Sequence, residues 1–153
     1  MAVQNGLKSF SAMKTKISPE TLLAYQKTIY RVKAMPKAWT LRLGRRSARL
    51  ISLYRQENLF TAAFLTAYNP YSQKKSKAKN VAAQNRLVEE LRKMGLSFIS
   101  GVGEDPKGQW AGEASLLVLG LNLKDAKAFG AKYRQNALVF AGKNAIPRLI
   151  LLQ

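Results

Sequence analysis

Residues 59–68 read Leu-Phe-Thr-Ala-Ala-Phe-Leu-Thr-Ala-Tyr, a nearly unbroken apolar run that Asn69-Pro70 stops. A run this short does not span a bilayer, which takes about 20 apolar residues. It lacks the strict alternation of a strand with one wet face, so it predicts an interior strand covered on both sides. Such a strand belongs inside a sheet that carries helices on one or both faces.

Toward the N-terminus, Ser47 precedes a helix whose Leu50, Ile51, Leu53 and Tyr54 fit one face. Trp39 to Leu43 alternates apolar and polar as a half-buried strand, and Gly44 ends it. Met35-Pro36-Lys37 reads as a turn after a strand from Thr28 to Val32. Ser18-Pro19-Glu20 starts a helix through about Gln26: a capping Ser, Pro at the first helical position and an early acid. Residues 1–17 hold Lys8, Lys14 and Lys16 with no acid and no secretory apolar core, and read as a flexible basic arm ahead of one domain, 18–153.

Toward the C-terminus, residues 71–80 form a polar basic loop. A helix follows from about Lys79 to Met94, with Val81, Leu87, Leu91 and Met94 inward and Gly95 as its C-cap. Leu96–Val102 and Ala114–Leu121 are strands joined by the turn-rich Gly103–Gly112, a long-looped hairpin. Lys124–Tyr133 is a helix, and Ala137–Ala141 and Arg148–Leu152 are the last strands. The expected fold is a single α+β domain, a mixed β-sheet with helices packed on its faces. A β-β-α-β unit over 28–68 has a counterpart at 98–141, and both helices end in Tyr-Arg-Gln (54–56 and 133–135). This fits either an internal repeat or two ordinary α+β units sharing one sheet.

At 153 residues the chain is of single-domain size. It has no Cys and no His, which excludes disulfides, Cys/His zinc sites, thiol nucleophiles and histidine triads. No carboxylate pattern supports a metal, no cofactor is implied, and no segment reads as a membrane span, so the expected location is the cytoplasm.

The charge is far from balanced: 26 Lys+Arg against 8 Asp+Glu, a net +18. Residues 1–58 carry 12 basic and 2 acidic residues, against 7 and 4 in 96–153, so the cationic weight lies early. Arg42, Arg45, Arg46 and Arg49 form one cluster; Lys74, Lys75, Lys77 and Lys79 form a second, with Tyr71 beside it as a candidate for stacking on an unpaired base. Such clusters displace counterions from nucleic acid, and the partner expected first is nucleic acid, RNA ahead of DNA, or a ribonucleoprotein. No RNP aromatic motif, GXXG loop or zinc finger is present, so the expected affinity is electrostatic rather than sequence-specific.

Polar residues gather where strands end, a usual place for sites. Thr66 and Asn69 close the apolar strand, Asn80, Gln84, Asn85 and Arg86 open the next helix, and Trp110 and Ser115 flank the hairpin loop. Gln135 precedes a later strand. Together they suggest a pocket for a small polar ligand, with Glu113 or Asp105 as the candidate catalytic base, Arg86 as anion clamp, and Asn69 and Gln135 as orienting amides. Each also has a plainer reading: Asn69-Pro70 as a turn, Asn80 as a helix cap, Asp105-Pro106-Lys107-Gly108 as a β-turn, and Glu113 as a partner of Arg86 or Arg134.

Thr66-Ala-Tyr-Asn-Pro70, Asn80 to Leu91, Gly103-Glu-Asp-Pro, Trp110, Glu113-Ala-Ser115 and Gln135-Asn-Ala jointly resemble the bacterial domain of unknown function 3293 family, over about Tyr25 to Leu152. The resemblance implies a bacterial or phage cytosolic single domain and assigns no activity. Three functions are therefore expected in competition. The first is a nucleic-acid-binding module. The second is a small enzyme or binding protein for an anionic, nucleotide-like substrate. The third is a regulatory protein meeting an acidic protein surface.

Overall fold

The computed structural model describes residues 14–153. Among the described residues four helices and seven strands follow one another: α1 (Pro19–Lys27), β1 (Ile29–Val32), β2 (Trp39–Leu41), α2 (Ala48–Glu57), β3 (Ala62–Leu65), α3 (Lys77–Lys93), β4 (Phe98–Glu104), β5 (Glu113–Leu119), α4 (Leu123–Lys132), β6 (Ala137–Ala141) and β7 (Arg148–Leu151). A short 3-10 turn occupies Pro70–Ser72. Each helix starts on a side chain that accepts a bond from its first turn: Ser18 from Thr21 N, Ser47 from Leu50 N, Ser76 from Lys79 N and Asn122 from Asp125 N.

All seven strands form one sheet in the order β2-β1-β4-β5-β3-β6-β7. The apolar run is the interior strand it was expected to be. Only Ala62–Leu65 is ladder, every residue of it is buried, and β5 and β6 flank it. The α+β class holds, with one correction: every pairing is antiparallel, so the sheet is not mixed. The helical crossovers do join strands of like direction, but never adjacent ones: those through α3 and α4 each skip one place, and that through α2 skips three. The skipped slot takes an antiparallel strand, as β3 does between β5 and β6.

The two halves of the chain are not a repeat. Leu50 and Tyr54 of α2 pack on one sheet face with Tyr30, Val32, Ala62, Phe64 and Leu117. Ala126 of α4, with Leu87 and Leu91 of α3, packs on the other with Ala63, Leu65, Leu116 and Val118. The matching helices thus cover opposite faces. The sheet curls into a half-barrel, and its edges are tied by Gly44 N–H to the Pro147 carbonyl (2.8 Å) and Ser47 N–H to the Ala145 carbonyl (2.9 Å).

The hairpin over the turn-rich loop is present as β4–β5. On α3, Leu87 and Leu91 point inward as expected, but Val81 (38% exposed) and Met94 (51%) do not. The helix begins two residues earlier than its hydrophobic pattern suggested, and its buried face is Asn80, Gln84, Leu87 and Leu91. Two of those four are polar, which is why apolar spacing alone misplaced it. Of the expected N-terminal arm, residues 1–13 lie outside the described residues. Next to it, Thr15 Oγ1 donates to the Gln153 carbonyl (2.7 Å) and Ile17 is buried.

Candidate functional site

On the α2 side of the sheet, but beyond the reach of α2, lies a cavity of about 630 Å³. That volume is in the range of small-molecule sites, roughly 300–1,000 Å³. Its floor comes from strand register. Tyr30, Gly103 and Glu113 stand side by side across β1, β4 and β5, and Gly101 faces Ser115 in the next row. The two glycines keep this floor low. A Cβ on Gly101 would lie 2.8 Å from the Phe64 ring and 2.8 Å from the Arg31 carbonyl oxygen. Phe64 therefore lies over Gly101, where it meets Tyr30 edge-on with ring centroids 5.6 Å apart.

Three segments wall the cavity: Tyr25 and its neighbours on α1, the β4–β5 loop at Gln109–Ala111, and the β3–α3 connection at Asn69, Ser72 and Lys74. The last segment is held in an unusual conformation. Asn69, Tyr71 and Ser72 all have positive φ (47°, 53° and 59°), outside the region most side chains adopt. Asn69 and Asn80 hold the bend by exchanging two bonds: Asn69 N–H to Asn80 Oδ1, and Asn80 Nδ2 to Asn69 Oδ1, each 2.9 Å. Asn69 Oδ1 also accepts from Lys75 N (3.0 Å). With its carbonyl so engaged, the Asn69 amide can only turn its Nδ2 the other way, where it donates to Glu113 Oε1 at 2.8 Å. Farther out, the Tyr25 hydroxyl and Ser72 Oγ are hydrogen-bonded at 2.6 Å.

Glu113 is the chemical centre of the site. Burial pushes its carboxyl above the ordinary value of 4.5, and the Asn69 bond offsets this only in part. Its Oε2 has no hydrogen-bond partner among the described residues. Burial also pushes the neighbouring Tyr30 phenol up, so its hydroxyl stays protonated and donates to the Tyr25 carbonyl.

The expected pocket residues divide cleanly. Thr66, Asn69, Trp110, Glu113, Ser115 and Gln135 all line the cavity. Thr66 Oγ1 donates to the Ala114 carbonyl (2.7 Å) and accepts from Tyr68 N (3.0 Å), while buried Gln135 donates to the Tyr68 and Tyr133 carbonyls (3.0 and 3.2 Å). Asn85 and Arg86 are corrections: both are exposed on α3 and outside the cavity. Asn80 and Gln84 face inward, and at about 100° per residue that turns 85 and 86 outward. Arg86 therefore clamps nothing there, and Glu113 pairs with Asn69 instead of with Arg86 or Arg134. Asp105 is also outside the cavity; its carboxylate accepts from Gln109 N (2.7 Å) and Lys107 N (3.4 Å), which is the β-turn reading. Asn80 is no helix cap, since Ser76 holds that position. Gln84 accepts from Ala67 N (2.8 Å), and its Nε2 is buried without a partner among the described residues.

Sequence reading did not find the floor. Phe64 looked like one more core residue, and Gly103 looked like the start of a loop. The signal present was glycine at 101 and 103, two apart and so on one strand face.

The basic residues are at the surface. Arg42, Arg45, Arg46, Arg49, Lys74, Lys75, Lys77 and Lys79 are all exposed, and none is in an ion pair among the described residues. The arginine cluster precedes and enters α2, where Gly44 and Ser47 tie it to the β6–β7 connection. The lysine cluster leads into α3, and Lys74 reaches the cavity. Tyr71 is exposed beside it, with its N–H bonded to the Arg134 carbonyl (2.7 Å). Among the described residues no acid cluster could hold a metal ion and no helix is long and apolar enough to cross a membrane.

A small α+β domain with a ligand-sized cavity at a sheet end is thus the class that fold and site define. Residues 65–138 match the family described as "Protein of unknown function (DUF3293)". The match runs from β3 to β6, narrower than the resemblance read from sequence, and includes every cavity residue from Thr66 to Gln135. No curated protein and no solved structure matches the chain.

Proposed function

We propose that this protein is a nucleic-acid-binding module that docks through electrostatic contacts to phosphates. The observation that carries the reading is the set of eight exposed Arg and Lys side chains, at 42–49 and 74–79, without carboxylate partners among the described residues. An unpaired cation keeps its full attraction for phosphate, whereas a paired one must first give up its acid. The net charge of +18 adds long-range attraction to any polyanion. RNA is the preferred partner, because aromatic side chains beside the lysine cluster suit unpaired bases.

Titration against single-stranded RNA, duplex RNA and duplex DNA tests this. Affinity should fall by orders of magnitude between about 50 and 200 mM salt if six or more phosphates are contacted. Replacing Lys74, Lys75, Lys77 and Lys79 by Ala should weaken binding to all sequences alike and reduce the single-strand salt slope by roughly 3. Weak binding to all three polymers at low salt overturns the reading. The cavity favours a second one, binding of a small nucleotide-like ligand, because a solvated face alone gives no reason for a half-buried carboxylate beside an apolar floor.

A further inference from the structure

We propose that the cavity receives a single unpaired guanine base, held at its Watson–Crick edge by Glu113 with its phosphate toward Lys74. The inference deepens the nucleic-acid reading and rests on it for the polymer, while the cavity itself can be tested with a mononucleotide. Three observations converge. The first is shape and surface: about 630 Å³ is bounded by Tyr25, Tyr30, Phe64 and Trp110. Extruded bases are taken up in this way, stacked between aromatic and apolar side chains.

The second is hydrogen-bonding capacity. An ionised carboxylate only accepts bonds. Asn69 supplies one bond to Glu113 Oε1 and leaves Oε2 open. A ligand filling this place must present N–H donors. Guanine carries two adjacent donors on one edge, its ring N1–H and its exocyclic amino group, and these match the two oxygens of a carboxylate. Adenine presents a ring acceptor beside its amino group, which sets a lone pair against a carboxylate oxygen.

The third is charge placement. Lys74 is the member of the lysine cluster that lines the cavity, and Lys75, Lys77 and Lys79 continue outward along the chain from it. A nucleotide with its base on Glu113 therefore has cations on the side where its phosphate, and the strand beyond, would leave. The anchoring of Asn69 by Asn80 and Lys75 N keeps Glu113 aimed before any ligand arrives, which lowers the ordering cost of binding.

Isothermal titration of the full chain with GMP, IMP, AMP and ribose 5-phosphate tests the proposal. GMP should bind about tenfold or more tightly than AMP, with IMP, which lacks the exocyclic amino group, in between. Ribose 5-phosphate should bind weakest. Glu113→Gln should remove the preference for GMP. Trp110→Ala, in an exposed loop, should weaken all three nucleotides while the fold is unaffected. Equal affinity for GMP and ribose 5-phosphate, or a GMP preference that survives Glu113→Gln, overturns the guanine site. RNA binding by the Glu113→Gln and Trp110→Ala variants separates the two claims. If the site fails while RNA still binds with a steep salt slope, the phosphate reading stands alone. If GMP binds and RNA does not, the site stands and the module reading falls.

Discussion

At the α2 end of the curled sheet, Leu50 and Tyr54 close over Ala62, Leu119 and Ala141, and the space is filled by hydrocarbon. At the other end of the same face, β3, β4 and β5 offer similar backbone, yet the space above them stays open over Thr66, Gly103, Glu113 and Ser115. Tyr54 satisfies its hydroxyl on the Ala141 and Gly142 carbonyls (3.1 and 3.0 Å), so nothing polar there is left to offer a ligand. Glu113 is bonded on one oxygen only among the described residues. A fold seeking stability alone would fill both ends alike. The open end keeps a desolvated carboxylate and a strained bend at 69–72, the kind of local cost that collects at functional sites.

The contrast can be broken most forcefully at the filled end. Leu50→Ala should cost about 2–5 kcal/mol, since Leu50 is fully buried and the cavity it leaves can collapse only in part. Denaturant unfolding measures this, and a loss below about 1 kcal/mol would mean that the α2 end is loosely filled too. Asn80→Ala attacks the frame of the open end. It strands the Asn69 N–H and strips one bond from Asn69 Oδ1, with an expected loss of about 1–3 kcal/mol. Asn80→Asp, which keeps an acceptor for Asn69 N–H but loses the Nδ2 donor, should fall between wild type and Ala.

The smallest effect sharpens the comparison most. Because Glu113 has a raised carboxyl pKa when folded, the unfolded chain releases this proton first as pH rises. Its contribution therefore makes the native state less stable as pH climbs through the interval above 4.5. Glu113→Gln removes that contribution. The variant should match wild type at pH values below this interval and be the more stable protein at neutral pH. The ionisable groups lining the same cavity, Glu20 and Tyr25 of α1, Tyr30 of β1 and Lys74, are present in both proteins and drop out of the difference. Urea unfolding of the pair across pH checks it; a difference that does not grow with pH would place Glu113 in contact with bulk water.

Much of this arrangement was legible in the chain. The run at 59–68 announced an interior strand because only burial on both faces tolerates a strand without polar alternation. That Thr66, Asn69, Trp110, Glu113, Ser115 and Gln135 would meet around one cavity was legible because polar residues at the ends of apolar strands have little structural reason to recur. Asn85 and Arg86 misled because a helix rotates neighbours apart, and the phase of α3 is set by Asn80 and Gln84, which an apolar pattern ignores. The likeness of 28–68 to 98–141 left two readings open for a related reason: local order says nothing of which sheet face a crossover covers.

By itself, then, the sequence determined the element order, the double burial of β3, the cationic surface and the exclusion of Cys and His chemistry. These follow from local composition and periodicity, which act within one element. Only the tertiary structure decided that the strands are all antiparallel, that α2 stops short of one sheet end, and that Gly101, Gly103, Phe64 and Tyr30 make a floor beneath Glu113. Those depend on which strand fills the slot a crossover skips and on cross-strand register, and both are set by packing between residues far apart in the chain.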